Sequence, residues 1–105
     1  MASEVLHVPR EKLRRSTLEY HYAVTSLMEE FEAVDWYRQR ADDTENPELK
    51  AILLHNAKEE LEHASMVLEW MRRNDPELNA QLREYLFKDG SIAGREHEAS
   101  GEHGL

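Results

Sequence analysis

A chain of 105 residues with 40% apolar and 33% charged side chains has room for one domain at most, and no run approaches the roughly 20 apolar residues that a membrane span requires. Its formal charge of −9 argues against nucleic acid, which asks for a basic surface, and favours attraction of cations. The absence of cysteine excludes a disulfide framework, a zinc ribbon and a thiolate nucleophile, while the N-terminus lacks a secretory apolar stretch; a cytoplasmic location is the expectation.

No glycine lies between Pro9 and Gly90, which leaves room for long helices. Pro9 suits a first helical turn, and Ser16-Thr17-Leu18-Glu19 has the form of a capping box. A first helix is therefore expected to start between residues 9 and 17 and to run to about Ala41. Asp42-Asp43-Thr44-Glu45-Asn46 reads as a polar turn. Asn46 then caps a second helix with Pro47 at its first position, where the missing N–H costs nothing. This helix is expected to end near Arg73, with Arg72 and Arg73 well placed against its negative dipole end. Asp75-Pro76 repeats the signal and opens a short third helix to about Phe87, stopped by Lys88-Asp89-Gly90. From Ser91 to Leu105 hardly an apolar residue is available to bury, and this stretch reads as a flexible tail. The division is a helical domain over residues 1–90 and a tail over 91–105.

Two helices of roughly 40 Å each at 1.5 Å per residue, joined by so short a connection, make an antiparallel hairpin. The fold class is all-α. Two helices enclose little core, so the hairpin is expected to pair with a second copy as a four-helix bundle.

The second helix carries a stripe of Leu49, Ile52, Leu53, Asn56, Glu60, His63, Met66, Val67 and Trp70, apolar at its ends and polar in its middle. The first has a similar face of Ala23, Leu27, Glu30, Val34 and Tyr37, again with a carboxylate at the centre. A carboxylate in such a place normally neutralises or finds a partner. Glu60-Leu61-Glu62-His63 is an E-x-x-H motif, which sets a carboxylate and an imidazole one turn apart on one face. A di-iron bundle takes a Glu from each of two helices and E-x-x-H from each of the other two. This chain supplies one helix of each kind, so two copies related by a twofold axis supply the set: Glu30, Glu60 and His63 from each. Separate explanations stay open, among them a core histidine satisfied by hydrogen bonds and a Glu30 paired with a partner's arginine. Tyr37, two turns beyond Glu30, is either a core aromatic or a group that bonds a ligand or supplies an electron.

Glu29 and Glu32 lie one turn apart on another face, with Trp36 a turn later. They read as a solvated face or as a weak oxygen-donor site where hard cations such as Ca²⁺, Mg²⁺ or hydrated Fe²⁺ gather. Asp35 and Glu59 receive no role. His21 and His55 fall within helices and suit interfaces, whereas His7, His97 and His103 fall near the ends.

The run Met28-Glu29-Glu30-Phe31-Glu32-Ala33-Val34-Asp35-Trp36-Tyr37, with His55-Asn56, Glu59-Glu60-Leu61-Glu62-His63-Ala64, Leu68-Glu69-Trp70-Met71-Arg72-Arg73-Asn74-Asp75 and Tyr85-Leu86-Phe87, closely resembles the encapsulated ferritins over residues 13 to 92. The resemblance implies a half-ferritin whose centre forms between two subunits, with five dimers in an annular decamer. It implies two irons per subunit pair bound by Glu30, Glu60 and His63 with Tyr37 close by. It also implies a metal-entrance site at Glu29 and Glu32 near Trp36, where Ca²⁺ or another divalent cation binds. The expected function is ferroxidase, oxidising Fe²⁺ to Fe³⁺ for mineralisation and storage within an encapsulin shell. One departure stands out: Ser100-Gly101-Glu102-His103-Gly104-Leu105 does not match the apolar docking peptide of the family, so either the chain is truncated or its targeting differs. The competing readings are an acidic helical adaptor, and a di-iron oxidant sensor or peroxidase without iron storage.

Overall fold

A computed structural model describes residues 6–96. Among them all regular structure is helical: a 3-10 turn at Arg10–Lys12, α1 at Arg15–Asp43, α2 at Pro47–Arg73 and α3 at Pro76–Tyr85. His97, His103 and most of the expected tail lie outside the described residues. No described helix is long and apolar enough to cross a membrane. The chain forms two compact units, Met1–Met71 and Arg72–Leu105.

In the first unit, α1 and α2 are joined by Thr44, Glu45 and Asn46, and each polar side chain there has a local task. The Asn46 N–H donates to the Thr44 hydroxyl at 3.2 Å, which tightens the turn. The Asn46 side-chain oxygen accepts from the Leu49 N–H at 3.0 Å, so the expected cap forms with Pro47 opening the helix. The start of α1 differs from expectation. Its N-cap is Arg14, with no side-chain hydrogen bond, and Ser16 lies inside the first turn, so no capping box forms. Pro9 instead precedes the 3-10 turn, whose closing bonds run from Lys12 and Leu13 back to Pro9 and Arg10.

The hairpin seam is built from small residues. Val34 and Ala41 on α1, and Ala57, Ala64 and Met71 on α2, are buried, and both sets repeat every seventh position. Seven residues are nearly two full turns, so each set stays on one line along its helix. Alanine at such positions lets two backbones approach closely, but it buries little apolar surface. The larger apolar residues of the expected α2 stripe stand one line over: Ile52, Met66 and Trp70 are 52%, 59% and 41% exposed. The covered line of Ala57, Ala64 and Met71 thus lies beside the expected stripe rather than within it. On α1 the expected face agrees better, with Ala23 and Val34 buried and Leu27, Glu30 and Tyr37 half-buried.

In the second unit Asp75 accepts from the N–H groups of Glu77 and Leu78, both at 3.1 Å, as its place before Pro76 requires. Arg72 and Arg83 donate to the Asn79 side-chain oxygen at 2.6 and 3.2 Å. α3 stops at Tyr85 rather than Phe87, because Phe87 takes a left-handed backbone (φ 59°) and Gly90 does likewise (φ 91°). Residues 92–96 are helical again, and Arg95 bonds the Glu84 carbonyl at 3.1 Å and its carboxylate at 3.4 Å.

The seam makes a size-specific prediction. Ala41 is wholly buried, so Ala41→Leu should lower the unfolding free energy of the protein by about 1–3 kcal/mol through overpacking. Ala51→Leu, on the exposed side of α2, should change it by less than about 0.5 kcal/mol; urea midpoints compare the two.

Candidate metal centre

An antiparallel hairpin brings level the residues that stand equally far from its turn. Glu30 stands as far back from Asp43, the end of α1, as Glu60 stands on from Pro47, the start of α2. Their helices face each other across the alanine seam, and the consequences are electrostatic. Glu30 is half-buried, and its Oε2 is closed off from water with no hydrogen-bond partner. Burial pushes its carboxyl above the usual glutamate value, and the neighbouring Glu60 carboxylate pushes the same way, as Glu29 does. The His63 imidazole, when charged, acts in the opposite direction. The Coulomb coupling puts Glu30, Glu60 and His63 in one neighbourhood.

On α2, His63 Nδ1 lies 3.8 Å from Glu60 Oε2, as the E-x-x-H spacing demands. That distance is too long for a strong hydrogen bond. In their side chains Glu60 and His63 are 26% and 45% exposed, so His63 faces outward while Glu60, like Glu30, is half-buried. A buried oxygen without a donor, beside a second carboxylate and an imidazole, suits a hard or borderline cation such as iron. The residues fit an iron-binding role, and Glu30, Glu60 and His63 are the three ligands the chain brings to this neighbourhood.

The structure also gathers a group that the sequence reading did not assign. Ligand atoms of Glu59, Glu62 and His63 lie within 4.8 Å of one another, all three residues being exposed, and His55 Nε2 contacts Glu59 at 3.4 Å. Their spacing, one turn before His63 and directly beside it, carries the signal. On a helix with Glu59, Glu60, Glu62 and Glu69, that signal is hard to separate from composition. His63 thus stands between Glu60 on one side and Glu59 with Glu62 on the other.

The remaining expected residues lie towards the C-terminal half of α1. Glu29 is exposed and Glu32 half-buried, one turn apart. Trp36 is exposed, and the Arg40 guanidinium lies 5.9 Å from its ring centroid and 5.7 Å from that of Tyr37. One cation therefore orders both aromatic rings. Asp35 accepts from Gln39 Nε2 at 2.9 Å, which gives it a local structural partner.

The EncFtn-like family model matches residues 5–89. The chain is 53% identical over 95 residues to an encapsulated ferritin-like protein of Rhodospirillum rubrum, covering 90% of this chain and 68% of that one. It is 46% identical over 95 residues to a ferritin-like protein of Thermotoga maritima, covering 90% and 83%. An encapsulin nanocompartment cargo protein of Myxococcus xanthus is 41% identical over 71 residues, covering 67% of this chain and 55% of that one. A crystal structure of a Nitrosomonas europaea protein matches with a TM-score of 0.83 at 48% identity, covering 86% of this chain and 99% of that one.

The raised Glu30 pKa has a consequence for stability. A carboxyl raised in the folded state contributes stability fully below its unfolded value, and that contribution is lost as pH rises through the folded one. The window opens near the ordinary value of 4.5 and extends upward. In protein stripped of metal by chelator, Glu30→Gln should therefore be more stable than wild type at pH 7. The advantage should vanish below about pH 4, where both states are protonated. Thermal melts at the two pH values test the sign, and an advantage that persisted at the lower pH would refute the burial argument.

Proposed function

The chain belongs to the EncFtn-like family of encapsulated ferritin-like proteins, and on that premise we propose that it is a ferroxidase whose centre is completed by a second copy of itself. The observation that carries the reading is the Glu30 oxygen shut away from water without a donor, beside the Glu60–His63 pair. Iron is the substrate. Two Fe²⁺ ions bind between two chains, each chain giving Glu30, Glu60 and His63. Each ion gives up one electron, O₂ accepts both, and with two protons it leaves as hydrogen peroxide.

The residues divide the work by their chemistry. Carboxylate oxygens are hard donors that favour Fe³⁺ over Fe²⁺, so they assist the oxidation itself. Glu30, seated between the two helices, is the best placed bridging ligand, with Glu60 and His63 as terminal ones. Neutral His63 adds donor strength without adding charge, and so leaves room for the product to depart. Tyr37 lies on the Glu30 face two turns on, its ring held by Arg40, and is assigned to bonding a ligand or supplying an electron. Glu29 and Glu32, near Trp36, are assigned to cation entrance, for Ca²⁺ or Fe²⁺.

Dimerisation is supported by the uncovered apolar line of Ile52, Met66 and Trp70, which runs beside the exposed His63. A twofold partner on that line covers it and closes the site in one step. The decamer, storage of mineral in an encapsulin shell and a nanocompartment location come from the family. The Myxococcus xanthus cargo protein supports the last two.

Two experiments test the proposal. Aerobic Fe²⁺ oxidation should fall by roughly 100-fold or more in Glu30→Ala, Glu60→Ala and His63→Ala, since loss of even an outer-shell partner costs 10–100-fold. Rates equal to wild type in all three would sink it, and so would anaerobic titration without stoichiometric binding near one iron per chain; that outcome favours the adaptor. If the shared metal also holds chains together, chelation should shift the oligomer distribution towards smaller species in light scattering. An unchanged distribution after complete metal removal would refute that coupling while leaving the oxidation untouched.

A further inference from the structure

On the N-terminal half of α1, reaching to one turn before Glu29 and Glu30, the N-terminal segment folds back over the helix and leaves a cavity of about 310 Å³ lined by Leu6, Arg10, His21, Tyr22, Thr25 and Ser26. The sequence explains its floor. His21 and Thr25 are one helical turn apart, as are Tyr22 and Ser26, so the four side chains make two stacked pairs on one face. The wall is pinned by Arg10, whose Nη2 donates to the Tyr22 hydroxyl at 2.6 Å across twelve residues of chain.

We infer that this cavity binds a small oxyanion, a phosphate or a carboxylate. Three observations carry the inference. The lining has no carboxylate at all, in a chain with 22 acidic residues against 13 basic ones. Every polar group that lines it can donate. The guanidinium keeps N–H groups beyond the one given to Tyr22, and the Tyr22 oxygen, being an acceptor there, directs its own hydrogen elsewhere. Ser26 and His21 add hydroxyl and imidazole donors, while Leu6 and the Tyr22 ring supply apolar walls.

The third observation is the local field. Arg10, Lys12, Arg14 and Arg15 fall within six residues, with Glu11 the one acid among them. α1 starts at Arg15 with no acidic residue in its first turn and no side-chain cap. The start of the helix therefore adds no acidic charge to this basic approach. Of the nearest acids along the helix, Glu19 is 3.5 Å from Arg15, and Glu29 lies a turn beyond Thr25. The volume sits at the low end of ligand cavities, roughly 300–1,000 Å³, which suits an ion of a few heavy atoms with its water.

The test uses the full chain stripped of metal, so its outcome is separate from ferroxidase activity. Inorganic phosphate and succinate are titrated in turn at constant ionic strength, with backbone amide shifts as the readout. Saturable shifts clustered at residues 6–26 are expected with at least one anion, and the anion that saturates identifies the source. Arg10→Gln and Ser26→Asp should each weaken binding about tenfold to a hundredfold. Arg38→Gln, at an exposed basic residue of α1 outside the cavity, should match wild type. The two variants act differently, one removing a donor and the other adding a repelling charge, so loosening of the N-terminal segment cannot mimic both. No saturation by either anion, or wild-type affinity in either cavity variant, overturns the inference.

Discussion

Closing a carboxylate oxygen off from water without giving it a donor costs free energy on the order of 1–3 kcal/mol, more when the group is charged, and Glu30 Oε2 is held in that state. The seam beside it makes this geometry possible. Alanines at Ala57 and Ala64 admit the neighbouring helix closely enough to exclude solvent from the middle of α1. The carboxyl answers this cost either by taking up a proton, which its raised pKa favours, or by binding a cation, for which Glu60 and His63 supply further donors.

The same seam bears on the proposed assembly. Among the described residues no large side chain is fully buried. The apolar bulk of α2, at Ile52, Met66 and Trp70, lies on a line that the chain itself leaves uncovered. In the proposed two-chain ferroxidase a partner would cover that line, so bulk moved into the seam would be taken from the proposed interface.

Much of this was legible before the structure. Asn46-Pro47 and Asp75-Pro76 fix two helix starts because a side-chain oxygen and a missing N–H act at known positions. Glu30 and Glu60 each stood out as a carboxylate in the middle of an otherwise apolar helix face. Three things were less visible. Alanine is nearly neutral in a hydrophobic pattern, so Ala57 and Ala64 were passed over and the α2 stripe was drawn beside the line that is buried. The true start of α1 carries no capping side chain, and Ser16-Thr17-Leu18-Glu19 imitated one two residues past the actual N-cap, Arg14. Glu59 and Glu62 were hidden by composition, since on so acidic a helix position alone does not mark a ligand.

Net charge conceals how charge is arranged along α1. Its N-terminal approach is basic, through Arg10, Lys12, Arg14 and Arg15, whereas Glu29, Glu30, Glu32 and Asp35 crowd the middle. With screening over roughly 8 Å at physiological ionic strength, regions separated by several helical turns scarcely feel each other. Each therefore answers to its own local field. A cation is drawn to the middle of the helix and an anion to its start, and the −9 total predicts only the first. Local sign, read turn by turn, is the quantity that assigns chemistry to a surface of this kind.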